Sequence, residues 1–264
     1  MQGIVLSDPH CGSHYGLTPP EYWYDSTNPR TRIGKLGKLQ RQTWELFAGM
    51  LLKNYHFALW IGDMIDGPSP KQKGSEHITT DIEEQCTIAS EVVKHVGAKY
   101  NYMVRGTAYH VGNSFDAENW IVDKCREVGN EFQIENTQFK NINGRVFDLK
   151  HHTTKTGIPH GVSTGPKKAH VHNLLWHIQS MQPVADVTIR GHVHEYCMTQ
   201  NPYWTGITCP ALQCLGCRYA RRLDSQVHFG FLDLAVSKEG AISWGVKIKP
   251  LLHQAQKATK IPSS

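Results

Sequence analysis

Short apolar runs alternate along this chain with longer stretches whose apolar positions recur at helical spacing. Residues 3–7, 57–62, 100–104 and 185–190 read as buried strands. Between them, residues 34–54 place Leu36, Leu39, Thr43, Phe47, Met50 and Leu51 close to helical period. Residues 79–97 put Ile82, Cys86, Ala89, Val93 and Val96 on one face, and further helices are predicted over 116–128 and 167–181. Residues 12–30 read as a loop rich in Gly, Pro, Tyr and Asn, and residues 67–75 as a polar surface loop. The runs 132–139 and 145–150 flank Asn143-Gly144, a strong hairpin-turn signal. The runs 227–236 and 241–249 flank Glu239-Gly240 as a second hairpin. Alternating βαβ units followed by β-rich segments predict an α/β protein with a mixed sheet or two facing sheets. One domain over 1–250 and a frayed polar tail over 251–264 are expected, with no repeat or linker.

Composition narrows the picture only slightly. At 264 residues, 39% hydrophobic and 19% charged, the chain is ordinary for a globular protein with one large core. A net charge of +5 suits a phosphorylated or polyanionic partner without requiring one. The sixteen histidines are the more informative excess. No apolar stretch approaches the roughly 18 residues that cross a bilayer, and Gln2-Gly3 leads straight into a strand. A cytoplasmic, reducing setting without membrane partners is therefore expected, with the seven cysteines mostly as free thiols. Cys209, Cys214 and Cys217 suggest zinc, but they lack a second matching pair and read better as part of an apolar segment.

The chemistry sits where the strands stop. Asp8-Pro9-His10 follows the first strand, Gly62-Asp63-Met64-Ile65-Asp66-Gly67 the second, and Gly191-His192-Val193-His194 the strand at 185–190. His151-His152 follows the strand at 145–150, and Arg105-Gly106-Thr107-Ala108-Tyr109-His110 the strand at 100–104. In open α/β sheets ligands sit at the carboxyl ends of strands. Carboxylates and imidazoles gathered there bind divalent transition metals, and two close metals promote phosphoester displacement.

This ordered set, DxH, GDxxD, a Gly-led His segment, a strand-end His and GHxH over roughly residues 3–195, resembles the calcineurin-like metallophosphoesterases. The small size and third motif resemble phage or bacterial members. The resemblance implies a four-layer αββα sandwich with mixed sheets and two divalent ions. Manganese is the leading candidate, with iron, zinc or nickel as alternatives. It implies that Asp8, His10 and His194 hold the first ion, that Asp63 bridges both, and that His192 and His151, preferred over His152, hold the second. Asp66 would orient a ligand. A hydroxide between the ions would attack phosphorus in line. The activity implied is that of a phosphoesterase, foremost a phosphodiesterase or nuclease on nucleotides or nucleic acid. The alternatives are a phosphomonoesterase and a non-catalytic scaffold of the same fold.

The third motif departs from the family's GNH. Thr107 stands at the Asn position, where a neutral hydroxyl is a weaker ligand, and His110 is displaced by two residues. His110 either protonates the leaving oxygen or replaces the missing ligand. Thr107 and Arg105 are candidate substrate contacts, Arg105 equally a partner for a carboxylate. Tyr15, Tyr22, Trp23 and Tyr24 either stack on a substrate ring or pack the loop. Asp25, Asp116 and Glu118 read as surface or capping acids, His160 as exposed or lining the site, and His170, His172 and His177 as without role. Arg218, Arg221 and Arg222 read as a solvated basic face that could steer a polyanion.

Overall fold

The computed structural model describes residues 1–24, 31–68, 73–112, 116–127, 129–216 and 226–251. The tail beyond 251, the Cys217 position, the arginines at 218, 221 and 222, and Asp25 lie outside the described residues, as does the Asp116 side chain.

Two mixed sheets face each other. In the first, β1 (Gln2–Leu6), β2 (Phe57–Ile61), β3 (Tyr100–Val104) and β4 (Glu131–Glu135) run parallel, and β10 (Gly230–Val236) and β11 (Ile242–Ile248) add antiparallel on the β1 side. In the second, β6 (Arg145–Lys150), β7 (Val187–Arg190) and β9 (Trp204–Thr208) are parallel, with β5 (Gln138–Ile142) and β8 (Cys197–Asn201) antiparallel at the two edges.

Alternation along the strands builds two cores. Val5, Phe57, Leu59, Ile61 and Val104 face Phe147, Leu149, Val187, Ile189 and Ile207 between the sheets. Their neighbours Ile4, Leu6, Ala58, Trp60 and Met103 point the other way, against α1 (Arg32–Met50), α2 (Ile82–Val96) and α4 (Asp116–Arg126). Trp60, fully buried, satisfies its indole by donating to Asn101 Oδ1 at 3.0 Å. A last helix, α5 (Thr164–Ile178), packs on the outer face of β7 and β9. The order helix, sheet, sheet, helix is the αββα sandwich that the family resemblance implies.

The helix ends follow from capping. Thr31 Oγ1 accepts from Gly34 N at 3.1 Å, and Asp81 Oδ1 accepts from Glu83 N at 2.8 Å. Gly97, at φ 66°, closes α2 in the left-handed conformation. The run at 132–139 is two strands rather than one. Asn136-Thr137 breaks it, and the chain passes from β4 in one sheet to β5 in the other. The crossing is tied down by Gln138 Nε2, which donates to Met103 O at 2.6 Å. A short helix, α3 (Ala108–Val111), has no counterpart in the hydrophobic pattern because one turn shows no period.

Candidate metal centre

Because β1, β2 and β3 run parallel, their carboxyl ends lie side by side, and those of β6 and β7 meet them from the facing sheet. Asp8 and His10 follow β1, Asp63 and Asp66 follow β2, and Thr107 and His110 follow β3. His151 follows β6, and His192 and His194 follow β7. Among the described residues three groups of donor atoms result, each with its atoms within 4.8 Å of one another: Asp8–His10–His194, Asp63–His151–His192 and His10–Asp66–His110.

The chain turns sharply to present them. Asp8, His10, Asp63, His192 and His194 all adopt positive φ, from 44° to 71°. Such a conformation costs an L-residue on the order of 1–2 kcal/mol and persists only where the surroundings enforce it. Gly62 is required beside them: at φ +74°, a Cβ there would lie 2.6 Å from His151 Nδ1. A Cβ on Gly106 would lie 2.2 Å from Asp63 Oδ1.

Hydrogen bonds fix which imidazole nitrogen faces inward. His151 Nδ1 donates to the Ile61 carbonyl at 2.5 Å, and His110 Nδ1 donates to the Asp66 carbonyl at 2.8 Å. A carbonyl only accepts, so Nδ1 carries the proton in both rings and Nε2 turns to the centre. His10 Nδ1 donates to Asp66 Oδ1 at 3.1 Å, and the other oxygen of Asp66 accepts from His77 Nε2 at 2.8 Å. The inward nitrogens then crowd. His10 Nε2 and His194 Nε2 are 3.3 Å apart, and Asp8 Oδ1 lies 3.1 Å from His194 Nε2 and 3.9 Å from His151 Nε2. Asp63 Oδ2 is 3.0 Å from His151 Nε2 and 4.0 Å from His110 Nε2. Buried His151 Nε2 has no hydrogen-bond partner. Burial opposes charge on these rings, yet the carboxylates beside them raise His10 to about 10 and His151 to about 9. Protons therefore hold the place that divalent cations fit: a buried, crowded set of nitrogens and carboxylate oxygens with one nitrogen left without a hydrogen bond.

Electrostatics agree. Burial alone would raise the Asp8 carboxyl, yet His194 and His151 beside it and bonds from His10 and His194 hold it well below the carboxylate range. Asp63 is lowered in the same way by His151, and Asp66 by its bonds to His10 and His77. Burial pushes His192 down to about 4, so its ring is neutral and able to ligate.

His151 is buried with Asp63, whereas His152 is exposed, its ring tilted at 47° to that of His192 with the centroids 4.7 Å apart. Thr107 does not point away from the acids: its N–H donates to Asp63 Oδ1 at 2.6 Å and its hydroxyl lies 3.2 Å from the same oxygen. Arg105 Nη2 donates to Asn119 Oδ1 at 2.8 Å. Glu118 is neither a surface nor a capping acid. It is fully buried and accepts from Gly106 N at 3.0 Å, because the third-motif loop folds over α4. His77, which completes the relay through Asp66, carries no sequence signal, since it lies in a polar loop far from any strand end. Tyr15 is buried and Tyr22, Trp23 and Tyr24 pack against the helical core, Trp23 Nε1 donating to Thr18 O at 2.9 Å. Cys209 and Cys214 are buried, the Cys214 thiol donating to Tyr15 O at 3.1 Å, and among the described residues no cysteine joins a candidate ion group. His160 is exposed, and His170 stacks on Trp204.

No model of a known protein family matches the chain, and neither does any curated protein. Several solved structures are similar in fold. A novel archaeal phosphodiesterase aligns at 15% identity over 93% of this chain and 99% of its own, with a TM-score of 0.44. Vps29 of Chaetomium thermophilum aligns at 10% identity over 93% and 96%, with a TM-score of 0.48. Zinc-complexed Vps29 of Entamoeba histolytica aligns at 11% identity over 93% and 97%, with a TM-score of 0.43. The residues at the strand ends, rather than these distant likenesses, support a functional reading.

Proposed function

We propose that the chain is a calcineurin-like metallophosphoesterase that uses two divalent cations to hydrolyse phosphodiesters, nucleotides or nucleic-acid strands first among them. The observation that carries this reading is the convergence of imidazole Nε2 atoms and carboxylate oxygens from five parallel strand ends, with Nδ1 of His10, His110 and His151 already engaged. Asp8, His10 and His194 would hold one cation, and Asp63, His151 and His192 the other. Bound there, two cations would offset charge on the phosphoryl oxygens and acidify the attacking water.

The protein's own groups do the rest. The Asp66–His77 pair fixes the His10 ring so that Nε2 stays aimed at the centre. His110 and His194 keep 19% and 16% of their side-chain surface exposed, so the cluster opens to solvent at their rings. His110 stands at this mouth with Nδ1 tied back, so Nε2 offers a lone pair that would either hold a cation in place of the missing Asn or take a proton from the attacking water and pass it to the leaving oxygen.

Turnover of bis-p-nitrophenyl phosphate and p-nitrophenyl phosphate with added Mn²⁺ tests the reading. Wild-type protein is expected to cleave the diester faster than the monoester, and Asp63→Asn to abolish both. Absence of turnover with every divalent ion, or an unaffected Asp63→Asn variant, would overturn it and favour a non-catalytic scaffold.

A further inference from the structure

The outer face of the second sheet carries a cavity of about 330 Å³ that the metal centre does not use. Its size falls at the lower end of small-ligand sites, roughly 300–1,000 Å³. It lies between the ends of β6 and β7 and the helix α5. Strand alternation makes it a neighbour of the metal centre. Phe147 and Leu149 point between the sheets, so Asp148 and Lys150 face outward. His151 then turns inward to Asp63, and His152 lines the cavity while its ring sits 4.7 Å from that of His192. One segment thus gives the metal centre a ligand and the cavity the residues on either side of it.

The charge of the cavity is uneven. Its floor is the buried pair Arg190–Asp148, joined at 2.6 Å, whose charges cancel. Lys150 and Lys168, both exposed on the wall, have no carboxylate partner among the described residues. Trp176 lines the wall with Ala169, His172 and Gln182 and leaves 44% of its surface exposed. Two exposed ammonium groups and a partly exposed indole lining one cavity are groups that can hold a nucleotide, phosphate on the cations and base on the ring. Gly165 keeps the first turn of α5 close enough to form the wall, since a Cβ there would lie 2.6 Å from Thr153 Oγ1.

We propose that this cavity binds the nucleotide adjacent to the bond being cut, its phosphate on Lys150 and Lys168 and its base against Trp176. The relation to bond cleavage rests on the phosphodiesterase reading; the binding of a nucleotide does not. Calorimetry with adenosine 5′-monophosphate on the full chain, in chelator, reads the cavity apart from any cation. The nucleotide is expected to bind wild type. Lys150→Ala/Lys168→Ala, two exposed changes that leave the core untouched, is expected to weaken it about tenfold. Trp176→Ala is expected to weaken it by a similar factor, with Trp176→Phe restoring most of the loss. Absence of binding, binding indifferent to these variants, or inorganic phosphate binding as tightly as the nucleotide would overturn the proposal. With Mn²⁺ present, the lysine variant is expected to raise KM for a dinucleotide and to leave bis-p-nitrophenyl phosphate turnover unchanged. A wild-type protein that binds the nucleotide but cleaves no diester would sink the phosphodiesterase reading and leave the nucleotide site standing.

Discussion

The two halves of the metal centre are supported by different means. Around Asp8, His10 and His194 the ring of His10 is held by a relay of side chains, His77 to Asp66 to His10, while Asp8 also accepts from the His192 N–H at 3.1 Å. Around Asp63, His151 and His192 it is backbone: the Ile61 carbonyl takes the His151 Nδ1 proton, and the Thr107 N–H donates to Asp63. A side-chain relay is cut by one substitution far from the ion. A backbone support survives most substitutions, and only the ligands themselves, or the loop that carries the amide, can weaken it.

Removing a ligand gives the largest expected effect. His151→Ala takes away the inward nitrogen that lies 3.0 Å from Asp63 Oδ2 yet makes no hydrogen bond, so the second half should empty. Metal analysis should fall from two ions per chain to one, and turnover should drop by more than about a hundredfold. Full occupancy in that variant would mean that the inward nitrogen of His151 is not a ligand. His77→Ala leaves every ligand in place but frees Asp66 and loosens His10. Loss of an outer partner of this kind costs on the order of 10–100-fold in metal affinity. Titration with Mn²⁺ should show that loss in one of two binding steps. Equal weakening of both steps would break the distinction between the halves.

Glu118 sharpens the comparison from the backbone side, because it holds the Gly106 amide next to Asp63. Burial raises its carboxyl to about 8, the Gly106 bond opposes this, and the nearby Asp63 charge adds to the rise. The folded chain therefore keeps a proton that the unfolded chain, with a glutamate pKa of about 4.3, releases. Stability from this group is complete below about pH 4.3 and is lost as pH rises toward 8, at up to about 1.4 kcal/mol per unit. Glu118→Gln keeps an acceptor for Gly106 and has no proton to lose. Its melting temperature in chelator should therefore fall less between pH 5 and 8 than that of wild type. Parallel curves would show that Glu118 is ionised in the folded protein.

Much of this was legible in the sequence because strand-end chemistry is local. An apolar run followed by Asp8 and His10, or by His192 and His194, needs no knowledge of the rest of the chain to be read as a strand delivering donors. Strands 100–104 and 145–150 match the residues that pair, and the Asn143-Gly144 turn joins β5 and β6. What escaped depends on distant packing. His77 reaches Asp66 only because a polar loop folds back under the first strand end. Glu118 looked like a helix surface acid because α4 has charge on several sides, and only the third-motif loop buries it. The break at Asn136-Thr137 is invisible to periodicity, since strands in two sheets share the same alternation.

The smallest effect concerns Thr107, and it decides how far the backbone-held half is compromised. Its hydroxyl lies 3.2 and 3.4 Å from the two oxygens of Asp63, so it donates to a carboxylate that a cation also needs. That hydroxyl therefore competes for Asp63 instead of adding a donor of its own. Thr107→Asn would keep the N–H that orients Asp63 and place an amide oxygen, a better neutral donor, near the second half. The Mn²⁺ concentration for half-maximal turnover should fall a few-fold, with maximal turnover little changed. Thr107→Ala releases Asp63 without adding a donor, so its requirement should lie between those of Thr107→Asn and wild type. A rise in the requirement for Thr107→Ala would reverse the reading: the hydroxyl would then be a clamp that places Asp63, and the second half would depend on a side chain after all.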